Sequence, residues 1–195
     1  MDLVGAKKYL LDKFEKELPK GLFYHSIEHT LDVMKAVLFY TKKENINEYN
    51  TTLILTAALF HDSGFLIKYR NNEASSVKIV KKILPEYNYK KEEIDAIEKM
   101  IMSTKIPQKP NNILEQILCD ADLDYLGRDD FNMISIKLFQ EWNFNGIKLS
   151  LKEWYLQEIK FLEKHTYFTQ TAIKLRTPKK MDQLNQIKEL LKIKK

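Results

Sequence analysis

Apolar residues return along this chain at every third or fourth position, the spacing that lines one face of an α-helix. Ile94, Ile97, Met100 and Ile101 form one such stripe, and Met181, Leu184, Ile187 and Leu191 form another near the end of the sequence. Both are expected to face a core. The pattern predicts helices over roughly 2–18, 26–44, 48–62, 73–84, 91–103, 111–124, 129–142, 150–167 and 178–193. Asn47, Ser150 and Thr177 precede three of them as N-caps, with Pro178 at a first helical position. Punctuation falls at "LPKG", "HDSG", "LPEY", "IPQKPNN" and "NFNG". With five glycines and five prolines, the chain has little material for turns between strands, so the expected fold class is all-α, a compact helical bundle. One segment departs from the amphipathic rule. "LILTAALF", residues 53–60, is apolar on every side and should run through the centre of the bundle.

Composition narrows the setting. The chain has 195 residues, 44% hydrophobic and 30% charged, which suits a single domain over residues 1–195 with a proper core. No apolar run approaches a membrane span, and Met1 is followed by Asp2 and an amphipathic segment rather than a signal peptide, so a cytoplasmic protein without membrane contact is expected. The single cysteine, Cys119, excludes an internal disulfide and a Cys-rich zinc site; its neighbours Ile117 and Leu118 suggest burial. The net charge of +5 is mostly scattered lysine, with arginine at only Arg70, Arg128 and Arg176. Nucleic-acid binders tend to cluster Arg and Lys with aromatics, so nucleic acid is not the expected partner. A modest positive field favours an anionic small molecule. A homodimer is compatible with all of this.

The chemistry gathers at three places. His25 and His29, two of the four histidines, stand four residues apart in "YHSIEHTLDV". His61 and Asp62 follow the all-apolar helix, with Gly64 available as a left-handed C-cap. A carboxylate and an imidazole at the end of a buried helix need pairing, hydrogen bonds or a metal ion. Finally, "ILCDADLDYLG" carries Asp120, Asp122 and Asp124. A calcium loop is excluded there, because its sixth position is Tyr125 instead of Gly and its twelfth Phe131 instead of Glu. On a helix, alternate residues face different ways, so one of Asp120 and Asp122 is expected to point inward with the apolar face.

The order H…HD…D, made by His29, His61-Asp62 and a later aspartate, resembles the HD superfamily of metal-dependent phosphohydrolases, over about residues 22–130. The resemblance implies an HD-type core with helices 150–193 packed on it. It also implies one divalent ion (Mn, Fe, Co, Ni, Mg or Zn) held by His29, His61, Asp62 and Asp122. Asp122 is chosen because the last ligand of the family usually follows a small residue and precedes an apolar one, as in Ala121-Asp122-Leu123; Asp120 is the alternative. Asp62 would also orient or deprotonate a water. In the phosphodiesterase branch, the first histidine of the HxxxH-like element is a general acid, so the resemblance implies that role for His25. Two-metal members have further histidines between the HD pair and the last Asp, but residues 63–121 contain none. Glu73 is a candidate for acting on the water or leaving group, and Lys105 for meeting a phosphate. Arg128, His165 and Arg176 are candidate substrate contacts. The implied activity is hydrolysis of a phosphate mono- or diester, a nucleotide or related small molecule. The other class is a regulatory module that keeps the metal cage without turnover.

Overall fold

The computed structural model describes residues 1–192, and position 193 of the last expected helix lies outside them. The described residues form nine α-helices and three 3-10 turns and contain no strand, as the apolar spacing requires. None of these helices is long and apolar enough to cross a membrane. The chain divides into two compact units, one of residues 1–20 with 25–122, the other of residues 21–24 with those from Leu123 onward.

The first unit holds α1 (Leu3–Glu17), α2 (Ile27–Lys43), α3 (Glu48–Phe60), α4 (Asn72–Ile83), α5 (Lys91–Ser103) and α6 (Ile113–Asp122). Helix α3 is its axis and packs against α1, α2, α5 and α6. Asn47 caps it, its side chain accepting from Asn50 N at 2.8 Å. Ala57, Ala58, Leu59 and Phe60 are wholly buried, as are Val37 and Tyr40 of α2, Ile97 and Ile101 of α5, and Ile117 and Leu118 of α6. Burial of each large apolar side chain contributes about 1.5–3 kcal/mol. That surplus lets α3 end in a polar pair.

Gly64 is not a left-handed cap. It lies in the 3-10 turn Ser63–Leu66 and outside the positive-φ glycines. Its role is close approach: a Cβ there would stand 1.9 Å from the Asn72 carbonyl oxygen and 2.8 Å from Ser76 N. Both are main-chain atoms that cannot swing aside. Gly64→Ala should therefore destabilise the unit by about 1–3 kcal/mol, the usual range for overpacking, read as a lower urea midpoint in chelator. An unchanged midpoint would contradict this contact.

The second unit holds α7 (Phe131–Phe144), α8 (Leu151–Lys164) and α9 (Gln170–Leu190). Ser150 caps α8 as its sequence promised, accepting from Glu153 N at 3.3 Å. Helix α9 corrects the sequence reading. It starts at Gln170, where Thr169 Oγ1 accepts from Ala172 N at 3.2 Å, and it continues across Pro178. Thr177 is thus helical and no cap; the proline removes one donor without stopping the helix. Met181 is 42% exposed, so the expected stripe is buried only at Leu184 and Ile187.

Glu158 of α8 is buried against Ser135, whose hydroxyl donates to it and accepts from Trp154 Nε1 at 3.0 Å. Burial pushes its carboxyl up to about 7 despite those hydrogen bonds. An acid whose folded pKa is raised contributes its full stability below the unfolded value and loses it as pH climbs through the folded one. Stability should therefore fall by about 3 kcal/mol between pH 4.5 and 7 on account of this group, at 1.36 kcal/mol per unit. Urea titrations across that window should show the fall, and Glu158→Gln should flatten it; equal slopes in both proteins would refute it.

Candidate metal centre

Local sequence sets each ligand candidate at a helix end. Ser26 caps α2 and accepts from His29 N at 3.4 Å, which places His29 in the first turn. His61 is the residue that ends α3, Asp62 follows it, and Asp122 closes α6. Because α2 and α6 both pack on α3, these ends meet.

His61 Nδ1 lies 2.7 Å from Ala58 O. A carbonyl only accepts, so Nδ1 carries the proton and the Nε2 of the neutral ring presents a lone pair. That Nε2 faces His29 Nε2 at 3.3 Å. Asp122 Oδ1 lies 3.3 Å from His29 Nε2 and 3.5 Å from His61 Nε2. Asp62 Oδ2 lies 3.5 and 3.1 Å from the same two atoms. His29, His61 and Asp122 form a group able to hold a metal ion, with ligand atoms all within 4.8 Å of one another.

Asp62 Oδ2 is buried without a hydrogen bond. Such an orphan is costly, and a cation would satisfy it. Ligands about 2.0–2.2 Å from one ion stand roughly 3.0–3.5 Å apart, which matches these separations. Charge points the same way. Burial disfavours a charged His61, but the Asp62 and Asp122 carboxylates outweigh it and hold the ring well above its ordinary value. Burial likewise opposes ionised Asp62 and Asp122, yet the histidines hold both below the usual carboxylate range. The site is built for net positive charge at its centre, and a bound cation would take the place of that proton.

The family model described as HD domain matches residues 26–124. That span is half of the chain and contains all four of these residues. The chain belongs to the HD domain family. An uncharacterized protein of Clostridium beijerinckii is 32% identical over 147 residues, covering 73% of this chain and 87% of its own length. The fold matches, with a TM-score of 0.62 and 19% identity, the crystal structure of a predicted HD superfamily hydrolase from an uncultured Thermotogales bacterium, over 95% of this chain and 91% of that one.

Within this HD domain the aspartate beside the histidines is Asp122, the one chosen from sequence, although burial does not separate it from Asp120 as the helix argument expected. Asp120 and Asp122 are both turned away from solvent, Asp120 wholly and Asp122 with 14% of its side chain exposed. Direction separates them, since only Asp122 joins the metal-binding group with His29 and His61. Asp124 is buried as well and accepts from Arg176 Nε at 2.7 Å and Arg128 Nη1 at 3.4 Å.

His25 precedes the Ser26 cap, so it and His29 are not one turn apart on a shared helix. Its ring stacks on Phe65 at 4.1 Å between centroids and meets His29 edge-on at 6.1 Å. It lies outside the metal-binding group, while its charge helps to hold Asp62 ionised. Glu73 is half-buried in the first turn of α4. Lys105 is exposed, its Nζ 3.4 Å from Asn71 Oδ1.

The remaining candidates belong to the second unit. Arg128 also grips Asp130 through Nε at 2.9 Å and Nη2 at 2.7 Å. Gly127, Arg128, Asp129, Asp130, Arg176 and Lys179 line a cavity of about 510 Å³ whose three cations all have carboxylate partners. His165 ends α8, stacked on Phe161 and edge-on to Tyr167 at 4.7 Å. Sequence reasoning missed Phe65, Asn72 and Ser76. Asn72 Nδ2 donates to Asp62 Oδ1 at 3.0 Å, and Ser76 Oγ donates to His61 O at 2.6 Å. No motif or periodicity marks these three.

Proposed function

We propose that this HD domain is a metal-dependent phosphohydrolase acting on a phosphate mono- or diester, a nucleotide or a related small molecule. The observation that carries the reading is the orphaned, buried Asp62 Oδ2 facing two histidine Nε2 atoms at 3.1 and 3.5 Å, with Asp122 on the same pair. His29, His61, Asp62 and Asp122 would hold one divalent ion. When bound, that ion lowers the pKa of its water and offsets charge building on phosphorus.

The chain's own groups divide the rest. Asp62, with Oδ1 already engaged by Asn72, orients the attacking water. His25, its ring plane set by Phe65, gives a proton to the departing oxygen. Glu73 steers the water or the leaving group from the first turn of α4, and Lys105 meets a phosphate oxygen as a point charge. Arg128, Arg176 and His165 are assigned to the packing of the second unit, where each is already engaged. The protein works in the cytoplasm on a small phosphorylated substrate.

The test is a panel of nucleotides and phosphodiesters incubated with protein loaded with Mn, Fe, Co, Ni, Mg or Zn. Release of phosphate or of a nucleoside product with at least one metal is expected. Stoichiometric metal binding without turnover on any member would replace the enzyme by a binding module.

A further inference from the structure

We propose that Asn72 is a positioning residue of the metal centre: by holding Asp62 Oδ1, its amide aims Asp62 Oδ2 at His29 and His61. The inference rests on the metal centre argued above and adds a residue that no metal contact identifies.

A carboxylate has two equivalent oxygens and a soft terminal torsion, so the side chain by itself does not choose which oxygen faces the histidines. Here one is chosen. Asn72 Nδ2 lies 3.0 Å from Asp62 Oδ1, and because a carboxylate only accepts, the amide must turn its nitrogen toward it. Oδ2 is thereby left without a hydrogen bond, 3.1 Å from His61 Nε2 and 3.5 Å from His29 Nε2. A hydrogen-bonded oxygen on one side and a bare one on the other is what a single-oxygen metal ligand requires.

The start of α4 is tied to the His-Asp turn firmly enough for this. The Asn72 carbonyl packs where a Gly64 Cβ would be, 1.9 Å away. One turn along α4, Ser76 Oγ accepts from Gly64 N at 2.8 Å and donates to His61 O at 2.6 Å. Asn71, just before, takes a left-handed conformation (φ 53°, ψ 45°), which asparagine tolerates better than most residues. The helix therefore enters with its first side chain directed at Asp62. Ser76 braces the main chain of the turn; only Asn72 touches the carboxylate.

The experiment uses the full chain and Co²⁺, whose visible d–d bands report the number and kind of ligands. Asn72→Leu should raise the Co²⁺ dissociation constant about 10–100-fold, the usual cost of losing a partner behind a ligand. It should also alter the d–d spectrum at saturating Co²⁺. Ser76→Ala, which loosens the same turn without touching the carboxylate, should keep the wild-type spectrum. Asn72→Asp has nearly the same volume and sets a like charge against Oδ1; it should weaken Co²⁺ binding at least as much and carries the test if Asn72→Leu does not fold. Wild-type affinity and spectrum in the folded Asn72 variants would overturn the role. His29→Ala separates the two levels of the argument. If it binds Co²⁺ as wild type does, the centre itself is wrong and this role falls with it; if it loses Co²⁺ while Asn72 variants do not, only the role of Asn72 falls.

Discussion

Asp122→Asn is expected to strip this HD domain of its metal and its activity, while Asp120→Asn, two positions away in the same helix, leaves the ion in place. Asp122 Oδ1 stands within 3.5 Å of both histidine Nε2 atoms, and the amide would remove the charge that makes it a ligand. Asp120 is fully buried, so its substitution should lower stability, yet it lies outside the metal-binding group. Elemental analysis of the purified proteins should find about one ion per chain in wild type and in Asp120→Asn, and none in Asp122→Asn or His29→Ala. Melting supplies an independent measure. A ligand that binds only the folded state, present at 100 times its dissociation constant, adds roughly 2.7 kcal/mol. Chelator should therefore lower the melting temperature of wild type and of Asp120→Asn and leave Asp122→Asn unmoved. If Asp120→Asn loses the ion and Asp122→Asn keeps it, the two assignments are reversed.

His25→Ala should keep the ion and lose about 10²–10⁴-fold in kcat, the range for removing a general acid. The geometry underlies the separation: the His25 ring is stacked on Phe65 and stands 6.1 Å, centroid to centroid, from His29, outside the metal-binding group. The loss should shrink on an activated ester, because a weakly basic leaving group hardly needs the proton. Metal content measured on the same preparations is the control. Should His25→Ala lose the ion as readily as His29→Ala, it is a ligand. Full activity on a poor leaving group would make it structural, with Phe65 merely its packing partner.

Much of this was legible because it is local. A helix declares itself through residues three and four apart, and a cap through a side chain reaching three residues on. Asn47 and Ser150 therefore sit where the sequence puts them. The all-round apolar "LILTAALF" became the central α3 because nothing but burial on every side suits it. The Thr177-Pro178 cap failed for an equally physical reason. Proline is favoured at a first helical position and costs a hydrogen bond inside a helix, yet α9 runs across Pro178 because Thr169 offers the capping chemistry eight residues earlier.

The sequence by itself determined an all-helical chain, the membership signalled by H…HD…D, and the kind of donor atoms available: two imidazoles and two carboxylates at helix ends. Those follow from residue type and spacing, which the chain carries without folding. Only the tertiary structure decided which atoms meet. Asp120 and Asp122 look alike along α6, and Asp120 is the more deeply buried of the two; the packing of α2 and α6 on α3 brings Asp122 alone onto the histidines. The same holds for Gly64, whose missing Cβ matters because Asn72 O passes there, and for Asn72, whose amide finds Asp62 across ten residues of sequence. Contacts of that kind depend on how helices cross, and a crossing is set by the summed fit of many side chains, none of which announces it alone.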